Sequence, residues 1–113
     1  MLHLCLSFVV TYDANDNGKN AGLYVNWFVY IIEASDHSYY TGITIDVERR
    51  FNEHCSGMLG AKYFNGRSPV KIVYQENNHS RSSASKREFA IKKLSRLQKE
   101  LLVKQAVLCE LRE

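Results

Sequence analysis

The stretch WFVYIIEASDHSYYTGITIDVERRFNEH, Trp27 to His54, decides how the rest of the chain is read. Trp27 to Ile32 is apolar on both alternating sets, with Trp27, Val29 and Ile31 on one face and Phe28, Tyr30 and Ile32 on the other. A strand with two apolar faces belongs in the middle of a sheet. Ser35-Asp36-His37-Ser38 is turn chemistry, and Tyr39 to Ile43 is the returning strand of a hairpin. Thr44 or Asp46 then caps a helix that runs to about Ser56 and stops at Gly57. On that helix Val47, Arg50, Phe51 and His54 stand at i, i+3, i+4 and i+7, so they share one face. Val47 and Phe51 suit a core. An arginine on the same stripe needs an anion, either a carboxylate or a phosphate.

Outward toward the C-terminus, Met58 to Pro69 is a glycine-containing loop with Lys62, Tyr63 and Arg67 interleaved. Val70 to Gln75 alternates, placing Val70, Ile72 and Tyr74 on one face of a third strand. The polar lead Ser80 to Ser85 opens a helix through about Leu94, with Ala84, Ala90, Ile91 and Leu94 toward the core. Glu88 falls at the edge of that stripe. Ser95 or Arg96 marks a bend, and a last helix carries Leu97, Leu101, Leu102 and Leu108. Toward the N-terminus, Thr11 to Gly22 is rich in Asp, Asn and Gly and reads as a loop. The apolar start, MLHLCLSFVV, lacks a basic leader and an A-x-A cleavage site, so it reads as an extra strand or ordered extension rather than a signal peptide. The expected division is an extension over residues 1–22 and one domain over 23–113.

A chain of 113 residues supports one modest core. Its net charge of +3 is unevenly spread: residues 81–104 hold eight basic side chains against Glu88 and Glu100, which leaves the remainder net acidic. That asymmetry suits a polyanion partner or a solvated helix face. Cys5, Cys55 and Cys109 are odd in number and lack zinc-ligand spacing, which points to the cytoplasm. No apolar run approaches the roughly 18 residues of a membrane span.

Tyr30, Tyr40, Arg50 and His54 follow one another at intervals of ten, ten and four residues. In that order, with VYII, YYTGIT, D-V-E-R-R-F-N-E-H, G-A-K-Y, SPVKIVY and REFAIKKLSR around them, the chain resembles the GIY-YIG nuclease superfamily, in particular its small stand-alone UvrC/intron-endonuclease-like members. The resemblance covers Asn26 to Lys99. It implies an α+β fold, a three-stranded antiparallel sheet flanked by helices in β-β-α-β-α-α order. It also implies a metal-dependent endonuclease acting on DNA, with RNA not excluded. By position, Tyr30 and Tyr40 are the motif tyrosines, Arg50 the motif arginine, His54 the following His or Tyr, and Glu88 the ligand of Mg2+ or Mn2+. Phe28 stands where the first motif has glycine, and Thr41 where the second has isoleucine. Lys62, Arg67, Lys92, Lys93 and Lys99 are the candidate contacts to nucleic acid. A binding module of the same fold without cleavage is the alternative.

The chemistry is consistent with these residue types. A guanidinium clamps two phosphate oxygens, and a single carboxylate suits Mg2+, which keeps most of its waters. A phenol, with a pKa of about 10, is a poor base unless a nearby cation lowers it. One structural demand follows. An even hairpin loop would put Tyr30 and Tyr40 on opposite sides of the sheet, so a shared site requires an odd loop or a bulge between Ile32 and Tyr40.

Overall fold

The computed structural model describes residues 10–11 and 26–111. Strands β1 (Val10–Thr11), β2 (Trp27–Ala34) and β3 (Tyr39–Thr44) are followed by helix α1 (Val47–Ser56), strand β4 (Pro69–His79) and helices α2 (Arg81–Lys92) and α3 (Arg96–Leu111). The sheet order is β1-β4-β2-β3. β2 runs antiparallel to both of its neighbours, β3 and β4, as expected, and β1 adds a two-residue parallel pairing with Glu76 and Asn77 at the far edge. Apart from Val10 and Thr11, the N-terminal extension and its polar loop lie outside the described residues.

β2 is central because both its faces are apolar. Val29 and Ile31 pack with Tyr74, Ala84, Ile91 and Ala106 beneath α2 and α3. Tyr30 and Ile32 pack with Val47 and Ile72 on the α1 face. Fully burying each such side chain contributes roughly 1.5–3 kcal/mol. The two cores make three layers, with the sheet between.

The alternation expected of the third strand does not hold. Ile72 joins the α1 core while Tyr74 joins the α2 core. The cause is a bulge: Ile31 pairs with Tyr74 and Ile32 with Ile72, so Val73 is an extra residue and the strand changes face around it. Two further register shifts fall near Val70 and Asn77-Asn78. The strand also runs on to His79 instead of ending at Gln75. Its polar end is tolerated because Glu76, 1% exposed, accepts hydrogen bonds from Tyr74 Oη at 2.5 Å, His79 Nε2 at 2.8 Å and Arg87 Nε at 2.7 Å. A buried carboxylate requires such partners. Asn78, at φ 64°, donates its N–H to Asn26 Oδ1.

The helices end where their caps dictate. Asp46 accepts from Arg49 N to start α1, and Gly57 closes it at φ 78°. Ser80 and Ser83 form a capping box on α2. Ala84 and Ile91, seven residues apart on one face, are buried as expected, but Ala90 lies about a quarter-turn off that face and is exposed. On α3, Leu102, Val103 and Ala106 meet the core, whereas Leu97, Leu101 and Leu108 face solvent. Among the described residues no helix is long and apolar enough to cross a membrane.

Candidate active site

The hairpin loop holds three residues, Ser35, Asp36 and His37. Ala34 N–H donates to Ser38 O, and His37 N–H donates to Ala34 O. His37 takes φ 68°, which lets an odd loop close. The register then pairs Ile32 with Tyr40 and Tyr30 with Gly42, so both phenols point to the α1 face. Gly42 is there for space: a Cβ on it would lie 2.6 Å from Tyr30 Oη and 2.8 Å from Tyr30 Cζ. The Tyr30 ring lies across the bare backbone of its cross-strand partner.

Over the phenols stands α1. His54, 2% exposed, places Nε2 3.1 Å from Tyr30 Oη. Its Nδ1 accepts the Ala61 N–H at 3.2 Å. A backbone N–H can only donate, so Nδ1 carries no proton and the neutral ring holds its hydrogen on Nε2, aimed at Tyr30. His54 is therefore a donor to the phenol, not a base poised to deprotonate it. Burial, then the charge of Arg50, pull the His54 pKa down to about 4. Protonation would also set a second N–H against that of Ala61. The loop reaches this nitrogen because Gly60 passes close to α1, where a Cβ would come within 2.9 Å of His54 Cα.

Arg50 is half-buried. Its Nη1 donates to Glu53 Oε1 at 2.9 Å and to the Leu59 carbonyl at 2.7 Å. The guanidinium also acts on Tyr30: burial and the neighbouring Tyr40 push the Tyr30 phenol well above its ordinary pKa, and Arg50 opposes them. Tyr30 is 1% exposed, whereas Tyr40 is half-buried at the edge strand. The Tyr40 ring packs 6.2 Å from Tyr30, 5.2 Å from His54, 5.3 Å from Tyr63 and 5.2 Å from Phe64.

Tyr30, Tyr40, Arg50 and His54 are thus brought together. Glu88 lies on α2, which packs against β3 and β2, and its carboxylate pairs with Lys92 at 3.1 Å. Among the described residues no three His, Cys, Asp or Glu side chains converge on a point. A lone, partly exposed carboxylate fits a largely hydrated Mg2+ and not a ligand-rich zinc site. Lys62 and Arg67 lie on the loop beside Tyr40, while Lys92 and Lys93 are exposed on and just after α2 and Lys99 is half-buried on α3. Sequence reasoning missed Glu53, the Leu59 carbonyl and the Ala61 amide. Two of these are backbone groups with no residue signature, and Glu53 falls off the stripe formed by Val47, Arg50, Phe51 and His54.

One measurable consequence concerns pH. Between about pH 4 and 6.5 the unfolded chain protonates His54 and the folded chain does not. The stability contributed by His54 is therefore fully present above the unfolded pKa and is lost as pH falls through that window. The difference in melting temperature between wild type and His54→Gln should shrink as pH is lowered across it. A constant difference, or a His54 ring that titrates near 6.5 by NMR, would refute the assignment.

The geometry now has a counterpart among known proteins. The model of the GIY-YIG catalytic domain matches residues 26–100, and the chain belongs to that family. It is 53% identical over 78 residues to the UPF0213 protein DP2720 of Desulfotalea psychrophila, covering 69% of this chain and 71% of that protein. Against the UPF0213 protein VNG_2274C of Halobacterium salinarum it is 55% identical over 74 residues, covering 66% and 95%. The solution NMR structure of the protein EF2693 from E. faecalis superposes with a TM-score of 0.52 at 40% identity, covering 74% of this chain and 88% of that one.

Proposed function

We propose that the protein is a divalent-metal-dependent endonuclease that hydrolyses DNA phosphodiester bonds and works in the cytoplasm. The observation that carries this reading is the convergence of Arg50, His54 and both tyrosines on one face, at an open sheet edge. Arg50 is the phosphate clamp, pre-set by Glu53 and Leu59 so that a guanidinium edge remains for the substrate. Tyr40, the more accessible phenol, is the group that meets the attacking water. Tyr30 sits behind it as a protonated phenol whose oxygen accepts from the His54 Nε2–H. Glu88 would hold Mg2+ or Mn2+, which when bound polarises the phosphate and neutralises charge. Lys62, Arg67, Lys92, Lys93 and Lys99 supply phosphate contacts.

The test is incubation of labelled DNA with Mg2+ or Mn2+, with and without EDTA, alongside Glu88→Gln. Cleavage should require the metal, and the variant should lose it while melting like wild type. Full activity in Glu88→Gln would remove Glu88 from the site. The alternative, a binding module without turnover, draws on the buried Tyr30 phenol, which the protein keeps protonated. Metal-independent DNA binding with no product under any condition would select it.

A further inference from the structure

Arg67 is held in a way that a simple phosphate contact does not need. Its guanidinium lies over the Tyr63 ring, 4.3 Å from the centroid. Its Nε pairs with Asp36 Oδ2 at 3.2 Å, which fixes the plane from the side. Both supports are themselves anchored. Asp36 accepts from Ser38 N and Oγ. Ser35 N donates to Ser68 O at 2.8 Å, and Ser68 N donates to Ser35 Oγ at 3.0 Å, clasping the hairpin loop to the segment that carries Arg67. Tyr63 in turn packs on Tyr40 and edge-on to Phe64. The outcome is a ladder from Tyr40 through Tyr63 to Arg67, whose side chain is one-third exposed (33%) at its outer end.

A planar cation held over an aromatic ring and one-third exposed can also stack against a nucleobase. Bases inside a duplex already have both faces covered, so only an unpaired base can stack there. We propose that Tyr63 and Arg67 form a stacking platform for an unpaired nucleotide beside the cleaved phosphate, which directs the site to single-stranded DNA or single-stranded segments of larger structures. The location beside the cleaved phosphate rests on the nuclease reading; the platform itself does not.

The experiment measures binding in EDTA, with no cleavage readout. A short single strand containing 2-aminopurine is compared with the same strand in a duplex and with an abasic version. Arg67→Lys keeps the charge and can keep the Asp36 pair but has no plane. It should weaken single-strand binding roughly ten- to a hundredfold and abolish the 2-aminopurine quenching, because base stacking is worth that much per base. Duplex affinity should fall far less, because the lysine keeps the charge that contacts phosphate. The abasic strand should bind wild type as weakly as the intact strand binds Arg67→Lys, a control that needs no altered protein. Wild-type single-strand affinity and quenching in Arg67→Lys, or an equal loss on duplex and single strand, would overturn the platform. If duplex is cleaved but strand binding does not depend on Arg67, the platform alone falls. If strand binding depends on Arg67 but nothing is cleaved, the nuclease reading alone falls.

Discussion

Replacing Arg50 with alanine is expected to slow DNA cleavage by about a hundred- to a thousandfold, the typical cost of removing one pre-set donor to developing charge. The protein should still fold, because Val47 and Phe51 hold α1 to the sheet. Arg50→Lys should recover little, since an ammonium cannot bond Glu53, the Leu59 carbonyl and a phosphate in one plane. A second readout is independent of activity. Arg50 helps to hold the His54 pKa down, so the His54 titration should move upward in Arg50→Ala. Cleavage at wild-type rate, or a His54 titration that does not move, would refute the arrangement.

Gly42→Ala should be nearly as damaging for a different reason. The new methyl would stand 2.6 Å from Tyr30 Oη and 3.1 Å from Tyr40 Cε2, so both phenols must shift. Tyr30 has nowhere to go, being buried with its hydroxyl tied to His54. Overpacking of this kind costs about 1–3 kcal/mol. A displacement of even about 1 Å can cost a hundredfold in rate. The melting temperature and the cleavage rate should therefore fall together, whereas Arg50→Ala separates them. A Gly42→Ala protein with normal stability and activity would show that the Tyr30 ring does not lie over this residue.

Most of the architecture was legible because it rests on local signals. The two apolar faces of Trp27 to Ile32 announced a central strand, and Asp46 and Gly57 bounded α1 where capping chemistry required. The spacing of Tyr30, Tyr40, Arg50 and His54 marked the candidate site. An odd hairpin loop could be demanded by argument, and the structure has one. Local pattern failed in the third strand. Its alternation of Val70, Ile72 and Tyr74 looked regular, but bulges are inserted to match a neighbouring strand, and no residue between Ile72 and Tyr74 advertises the extra position. The burial of Glu76 was equally invisible, since its partners Arg87 and His79 come from the next helix and the strand's end.

The sequence by itself determined the order of elements, the sidedness of α1 and which reactive groups exist, since period, caps and turns act over a few residues. The tertiary structure alone decided which of those groups meet and in what state. It placed the Ala61 amide on His54 Nδ1, which sets the tautomer and makes the ring a donor to Tyr30. It buried Tyr30 and left Tyr40 at the edge. It set Glu53 and the Leu59 carbonyl on Arg50, and Asp36 and Tyr63 on Arg67. Some, such as Asp36 on Arg67 and Tyr30 on His54, join segments distant along the chain. Others span only a few residues but depend on how the loop after α1 folds back, and several are made by backbone atoms common to every residue type. Protonation states and orientations depend on such contacts, and composition and spacing do not encode them.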